Sequence, residues 1–491
     1  MNECCKPNPC EETWCEPPEA TAAPSHLIIV GGGSAAFAAT TRAAERGWRV
    51  TIINDGLPIG GTCVNVGCVP SKTLIRAAEA CHRAANHPFE GIDTTARVSD
   101  FGAVTRQAND LVETLRQKKY LDVVEDLPGV TIIKGRARFL NSREVEVNGK
   151  ALQADRILIA TGARTHVPEI PGLADVDYLV TDTAFQLKQA PASLLVLGGR
   201  YIALECAQMF ARLGVSITVL QRSPRILPDE SPALTDALAG YLREEGLTIE
   251  TGVRILAIRA TGGGVEVDTE IAGKKQTFTA ERLLLATGRQ PNTEGLDLQN
   301  AGVIIDKGGF VRVDDQLQTA VPGIFAAGDV IGEPMFVYTA AYEGALAAEN
   351  AVAVPGATPR TRHYDPLPWV IFTDPQVAGV GMDQRQAEAA GIDAETVTLP
   401  MAQVPRALAA RETRGFLQLI RNSADDRILG ARVLAHEGSE LMMEISLALR
   451  HGMTAKELAS LFHPYLTLGE AVKLAALSFG KDVNKLSCCA T

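Results

Sequence analysis

Short unbroken apolar runs recur along the chain, each ending in glycine and leading into a longer stretch of helical period. Leu27-Ile28-Ile29-Val30 is followed by Gly31-Gly32-Gly33-Ser34-Ala35-Ala36 and a helical stretch to Arg46 that Gly47 stops. A run without alternation predicts a strand buried on both faces, as in a parallel sheet, and the glycine predicts the helix end. A further strand is expected from Arg49 to Ile53, closed by Asn54-Asp55-Gly56. The same order returns at Leu194-Leu195-Val196-Leu197, with Gly198-Gly199-Arg200-Tyr201-Ile202-Ala203, a helix closed by Gly214 and a strand from Ser216 to Leu220. Between the copies, alternation from Val130 to Ile159 around the turn pair Asn148-Gly149 predicts a β-meander. Ala160-Thr161-Gly162 and Ala286-Thr287-Gly288-Arg289 close the two units after short strands.

Near Ala326-Ala327-Gly328-Asp329-Val330 the chain returns to the first unit, with a helix expected from Tyr338 to Val352. Beyond Pro366, strands from Phe416 to Ile420 and Ile428 to Val433 mix with helices from Glu437 to Arg450 and Lys456 to Leu461. The predicted fold is therefore α/β: two Rossmann-like dinucleotide-binding domains and a C-terminal α+β domain. The expected divisions are an arm at 1–25, a first domain at 26–165 resumed at 296–365, a second at 166–295, and the last at 366–491.

The glycines bring chemistry to this pattern. Gly31 allows the tight turn, Gly33 lets backbone approach a pyrophosphate at the helix N-terminus, and small Ala36 lets helix and strand pack closely. Asp55 is the candidate for a ribose hydroxyl, with Asn54 an equal contender at the strand end. Asp329, after a strand and before a helix, suits a cofactor hydroxyl. Two such units imply two dinucleotides, a donor and an acceptor of electrons. In the second unit Gly198 opens the turn, but Arg200 stands where the second glycine is usual. Its following strand ends in Gln221-Arg222-Ser223-Pro224-Arg225 rather than in a carboxylate. Arg222 and Arg225 can grip a 2′-phosphate, so NADPH is expected over NADH.

Composition narrows the class. With 491 residues and 46% apolar content, about three domains can each fill a core. A net charge of −11 argues against nucleic acid held through the overall field. The N-terminus lacks the layout of a secretion signal and no apolar run is long enough to span a bilayer, so a cytoplasmic setting without stable membrane association is expected. Ten cysteines in such a chain read as redox or metal chemistry rather than as a disulfide framework.

Those cysteines are clustered. Cys63 and Cys68 lie in Gly60-Gly61-Thr62-Cys63-Val64-Asn65-Val66-Gly67-Cys68-Val69-Pro70-Ser71-Lys72, just after the first nucleotide signature. Flanking glycines let two sulfurs meet, which makes the pair an electron relay. Cys488 and Cys489 are adjacent at the other end, and adjacent thiolates on a flexible tail exchange a soft ion from small thiols. Cys4, Cys5, Cys10 and Cys15 lie in a proline-containing arm without apolar period, expected to be mobile, either a tail without function of its own or an auxiliary trap for a soft metal. Cys81 and Cys206 fall in helical stretches and are expected as small buried hydrophobes.

With these motifs the chain resembles the flavin-dependent pyridine nucleotide-disulfide oxidoreductases from about Leu27 to its C-terminus. The marks are Gly31 to Ala36, the Cys63 to Cys68 relay, the second glycine motif, Ala286-Thr287-Gly288-Arg289 and Gly328-Asp329. The resemblance implies FAD in the first unit, NADPH or NADH in the second, and a homodimer whose C-terminal dimerisation domain completes the partner's active site. Within that family, Leu486-Ser487-Cys488-Cys489-Ala490-Thr491 and Phe462-His463-Pro464-Tyr465-Leu466-Thr467 resemble segments of the mercuric reductases.

The resemblance implies residue roles. Cys68 is the flavin-proximal thiolate and Cys63 the outer, exchanging thiol; both, with Cys488 and Cys489, are ligands of Hg(II), the implied substrate, which leaves as elemental mercury. Tyr120 and Tyr465 of the other subunit place the ion. Lys72 and Glu205 form a pair near the flavin, and Tyr201 shields it until nicotinamide arrives. Gly61, Thr62, Ala137 and Val337 contribute backbone or small contacts to FAD. Disulfide reductases of this family carry a glutamate five residues after the interface histidine; here Leu468 stands there, with Glu470 two places on. That departure and the Cys-Cys tail separate this chain from the rival expectation, a dihydrolipoamide dehydrogenase or other reductase of small disulfides. The four-cysteine arm stands where many mercuric reductases carry a metal-binding domain.

Overall fold

A computed structural model describes residues 25–354, 356–482 and 485 of the chain. Cys4, Cys5, Cys10, Cys15, Cys488 and Cys489 lie outside the described residues.

The first apolar run forms the strand His26–Val30, buried at every position, at the centre of a five-stranded parallel sheet. Across that sheet the strands are Ile324–Ala326, Arg156–Ile159, His26–Val30, Arg49–Asn54 and Val130–Lys134. Full burial on both faces is why this strand carries no polar alternation. The helix Ser34–Glu45 follows and packs on the helix Val337–Ala351. Small residues set that approach: a Cβ on Gly344 would lie 2.0 Å from the carbonyl oxygen of Ala35, and Ala36 is wholly buried. Gly47 ends the helix in the left-handed region, φ +75°, as expected.

The second copy repeats this plan in a four-stranded parallel sheet of Thr248–Thr251, Ser216–Gln221, Ser193–Leu197 and Arg282–Leu285. The helix Tyr201–Arg212 occupies the place of Ser34–Glu45. The duplication extends to backbone contacts. A Cβ on Gly31 would lie 2.2 Å from the oxygen of Ala160, and one on Gly198 would lie 2.3 Å from the oxygen of Ala286. Each first glycine is thus pressed against the matching Ala-Thr-Gly segment, and both need φ near +120°, which favours glycine.

The meander is shorter than the alternation suggests. Ala137–Asn141, Glu144–Val147 and Lys150–Gln153 form it, with Asn148 and Gly149 both at positive φ in its turn. The flanking segments instead join the parallel sheet, Arg156–Ile159 inside it with Ile157, Leu158 and Ile159 buried, and Val130–Lys134 as an edge strand whose apolar residues are at most half-buried. The C-terminal unit is a five-stranded antiparallel sheet covered by the helices Met442–Arg450, Ala455–Ser460 and Glu470–Leu477. No helix among the described residues is long and apolar enough to cross a membrane.

His26 opens the first sheet as a buried polar residue. Its ring nitrogens contact the Gln153 carbonyl and the Thr51 hydroxyl, both at 2.8 Å. Burial is the main cause that holds its pKa below the usual value, outweighing the bond to Gln153. The unfolded chain therefore binds more protons at mildly acid pH, and stability contributed by neutral His26 falls as pH drops below about 6.5. Thermal unfolding between pH 7.5 and 5.5 should show an acid-side loss that His26→Gln reduces. An unchanged slope would remove His26 as its source.

Candidate active site

Three segments converge on the two relay cysteines. The turn before them is fixed by close backbone packing: Gly60 donates its N–H to the Gly32 oxygen at 2.7 Å, and a Cβ on Gly61 would meet the Gly33 Cα at 2.6 Å. The relay is therefore seated directly on the first glycine turn. Asn65, buried between the cysteines, donates to the carbonyls of Pro58, Ile59 and Gly61 at 2.8–3.2 Å, while Arg116 donates to its Oδ1 at 3.0 Å. A Cβ on Gly67 would lie 2.9 Å from the Thr62 oxygen, so glycine there lets the second helix start against the first.

Cys63 sits on the short helix Gly61–Asn65 and Cys68 is the first residue of the helix Cys68–Ala85. They are free thiols joined by a hydrogen bond that polarises the pair. That bond is the largest cause holding Cys68 down at about 7, with the Lys72 charge acting in the same direction against burial. It raises Cys63, whose burial adds to the effect. Near neutral pH the outer thiol carries the proton and Cys68 carries the charge.

Lys72 stands one turn along from Cys68. Its Nζ is 2.6 Å from Glu205 Oε2 and 4.6 Å from the centre of the Phe372 ring. Glu205, buried on the helix Tyr201–Arg212, also accepts the Phe372 N–H at 2.9 Å. Tyr201, at the start of that helix, stacks on Trp369 with ring centres 6.0 Å apart, and burial pushes its hydroxyl up to about 12. The cysteine helix, the second glycine helix and the start of the C-terminal unit thus meet at one place.

Tyr120 packs edge-on against Phe37 at 4.8 Å; burial raises its pKa, a bond to Ser34 opposes that, and both cysteines act on it electrostatically. Tyr465 lies in the C-terminal unit, more than half exposed beside fully exposed Phe462 and exposed Leu466. His463 in that segment reaches Glu444 Oε1 at 2.6 Å through Nε2. Leu468 leaves the expected carboxylate position empty of acid, and the histidine's partner comes instead from the helix Met442–Arg450.

Both glycine turns fit dinucleotides. Among the described residues, three buried side-chain polar atoms have no partner; of these, Thr161 Oγ1 belongs to the segment packed on the first turn and Arg225 Nε to the loop that Leu227 ties to the second. Such atoms normally find a partner, and a bound nucleotide supplies one. Asp329 is held above its usual pKa mainly by burial, with Arg289 3.7 Å away. Glu343, almost wholly buried, accepts the Gly328 N–H at 2.7 Å and the Tyr364 hydroxyl at 2.5 Å, so it fixes the loop that carries Asp329. Val337 begins the helix that follows, and Ala137 begins the meander, two residues after Gly135 bonds to the Asn54 carbonyl.

At the strand end, a Cβ on Gly32 would lie 2.6 Å from Asn54 Oδ1, whereas Asp55 is exposed. Of the two contenders, the fold sets Asn54 against the glycine turn, because the strand runs one residue past Ile53. In the second unit Gln221 occupies the matching place under Gly199, with Arg222 exposed and Arg225 half-buried beyond it. Cys206 is buried, and burial pushes its thiol up to about 12, whereas Cys81 is only partly buried on an outer helix turn. A Glu79, Asp374 and His436 group has metal-like spacing, but Arg76 and Arg83 pair with Glu79 and Arg212 with Asp374, so it reads as an ion-pair network.

The family profile described as pyridine nucleotide-disulphide oxidoreductase matches residues 25–344, and its dimerisation domain matches residues 367–476. The chain belongs to the pyridine nucleotide-disulphide oxidoreductase family. A mercuric reductase from Staphylococcus aureus is 43% identical over 94% of this chain and 84% of the relative. One from Streptomyces lividans is 43% identical over 94% of this chain and 98% of the relative. Among solved structures, the Cu(II) complex of the HOCl-induced flavoprotein disulfide reductase RclA from Escherichia coli matches with a TM-score of 0.83 and 31% identity, covering 93% of this chain and 100% of that one. These members bear out the expected fold class and the resemblance to mercuric reductases. As a flavoprotein family, its members use FAD and a pyridine nucleotide, which fits the two turns. The disulfide-reductase alternative is not favoured.

Proposed function

We propose that the chain is a mercuric reductase that uses NADPH to convert thiol-bound Hg(II) to elemental mercury. The observation that carries this reading is the polarised pair Cys63 and Cys68, seated on the first glycine turn in a chain 43% identical to mercuric reductases. Hg(II) is soft and prefers two thiolates, and a pair with one thiolate already formed can take it from small thiols by ligand exchange. One NADPH and one proton are consumed, two electrons reduce Hg(II), and the two bound thiols are released.

FAD bound at the first turn and NADPH at the second supply hydride acceptance and two-electron transfer to the metal. The chain's own residues hold these groups and the ion. In this reading Gly31, Gly33, Ala36, Gly61, Thr62, Ala137, Gly328, Asp329 and Val337 hold FAD, with Asn54 rather than Asp55 at the ribose. Gly198, Tyr201, Arg222 and Arg225 hold NADPH. Lys72, held by Glu205, keeps Cys68 ionised. Cys488 and Cys489 collect the ion and pass it to Cys63 and Cys68 of the partner subunit, where Tyr120 and the partner's Tyr465 position it. The exposed Phe462 and Leu466 beside Tyr465 suit burial in such a homodimer. The reaction needs NADPH and free thiols, so the proposed setting is the cytoplasm.

The flavin-loaded protein should oxidise NADPH with mercuric chloride and excess small thiol, and not with oxidised glutathione or lipoamide. Oxidation dependent only on the disulfides would overturn the proposal. Arg222→Ala and Arg225→Ala should raise the KM for NADPH by about tenfold, the worth of one charge-assisted contact, while leaving that for NADH nearly unchanged. Equal effects on both nucleotides would count against NADPH.

A further inference from the structure

The second glycine turn differs from the first in one residue. Gly33 and Arg200 occupy matching positions, each capping the N-terminus of the helix that follows. Their backbones are nearly the same, φ −94° and ψ −166° for Gly33 against φ −106° and ψ −167° for Arg200. Neither value requires glycine, so the substitution introduces no backbone strain and leaves the helix N–H groups aimed as in the first unit. The side chain is the whole difference. In the first unit a Cβ at this place would meet only the Gly61 Cα, at 3.7 Å, on the side where backbone approaches a pyrophosphate.

The Arg200 side chain crosses to the loop that carries the specificity arginines. Its Nη1 is 2.5 Å from Asp229 Oδ2, and both side chains are more than half exposed. That loop is itself tied to the turn, since Leu227 donates its N–H to the Gly199 oxygen at 2.9 Å. Exposed ion pairs contribute little to stability, so this one is readily exchanged for a better partner. A dinucleotide pyrophosphate offers two negative phosphates next to the Arg200 Cα, and arginine matches phosphate geometry with paired donors.

We propose that Arg200 is a ligand of the nucleotide pyrophosphate: Asp229 holds it in the free chain, and the bound nucleotide takes it over. The inference rests on the second turn being the NADPH site and deepens that reading. It divides the labour among three arginines. Arg200 grips a group common to NADPH and NADH, while Arg222 and Arg225 read the 2′-phosphate that only NADPH carries.

Calorimetric binding of NADP⁺ and of NAD⁺ to the full-length, FAD-loaded protein tests this without turnover. Arg200→Ala should weaken both nucleotides by about tenfold, Arg225→Ala should weaken NADP⁺ alone, and Asp229→Asn should tighten both. The Arg200 effect should shrink as ionic strength rises. Unchanged or tighter binding by Arg200→Ala would overturn the proposal, since Arg200 would then be a bystander or an obstruction. A loss confined to NADP⁺ would also overturn it, by moving Arg200 to the 2′-phosphate. Failure of the NADPH reading is distinguishable: Arg225→Ala would then affect both nucleotides alike, whatever Arg200 does.

Discussion

Cys63→Ala should lose mercury reduction by on the order of a thousandfold, because it removes both a metal ligand and the hydrogen bond that lowers Cys68. The second consequence has its own sign. Cys68 is held at about 7, first by the Cys63 hydrogen bond and then by Lys72, against burial. A step that needs its thiolate is therefore suppressed below pH 7 and levels off above it. Without Cys63 the largest lowering cause is gone, so the rise shifts to higher pH, toward the free-thiol value of about 8.5. Alkylation rate against pH would show the displacement directly. Residual turnover within tenfold of the parent, or an unmoved alkylation profile, would defeat the assignment of Cys63 as both ligand and proton donor.

This polarity was not legible from the spacing of the two cysteines, which speaks only of a reducible pair. It arises first from the interaction of Cys68 with Cys63 and then from Lys72, one turn on, with glycines holding the two helices together. What local pattern could show was the plan of the two units. Leu27 to Gly33 and Leu194 to Arg200 share an apolar run and a turn, and their matching contacts with Ala160 and Ala286 follow from that duplication. Contacts between distant segments left no such trace. Glu343 under Gly328, Glu444 against His463, and Trp369 beneath Tyr201 come from elements far apart in the chain, and each lies within an ordinary helical or strand period. Asn65 was the most accessible omission. A polar residue between two relay cysteines has to satisfy its amide, and it does so by bonding three carbonyls of the turn before it. Asn54 and Asp55 differ by one position, and the strand end sets Asn54 rather than Asp55 against the glycine turn.

Lys72 and Glu205 act on Cys68 with opposite signs, so replacing each should move the relay in opposite directions. Lys72 lowers the Cys68 pKa and Glu205 raises it. Lys72→Met removes the cation and leaves a buried carboxylate unpaired, so the lower apparent pKa of the thiol pair should rise above about 7. The first unit of rise cuts the thiolate fraction at neutral pH about fivefold, with turnover following. Glu205→Gln removes the opposing charge, so that pKa should fall and thiolate persist into mild acid. Stability should separate the two variants again. Lys72→Met should cost less than the about 3–5 kcal/mol of breaking a fully buried pair, because the lysine side chain is 34% exposed. Glu205→Gln should cost less still, since a glutamine oxygen can go on accepting the Phe372 N–H. Alkylation profiles that move in the same direction for both variants would show that the ion pair shapes the site by packing rather than by charge.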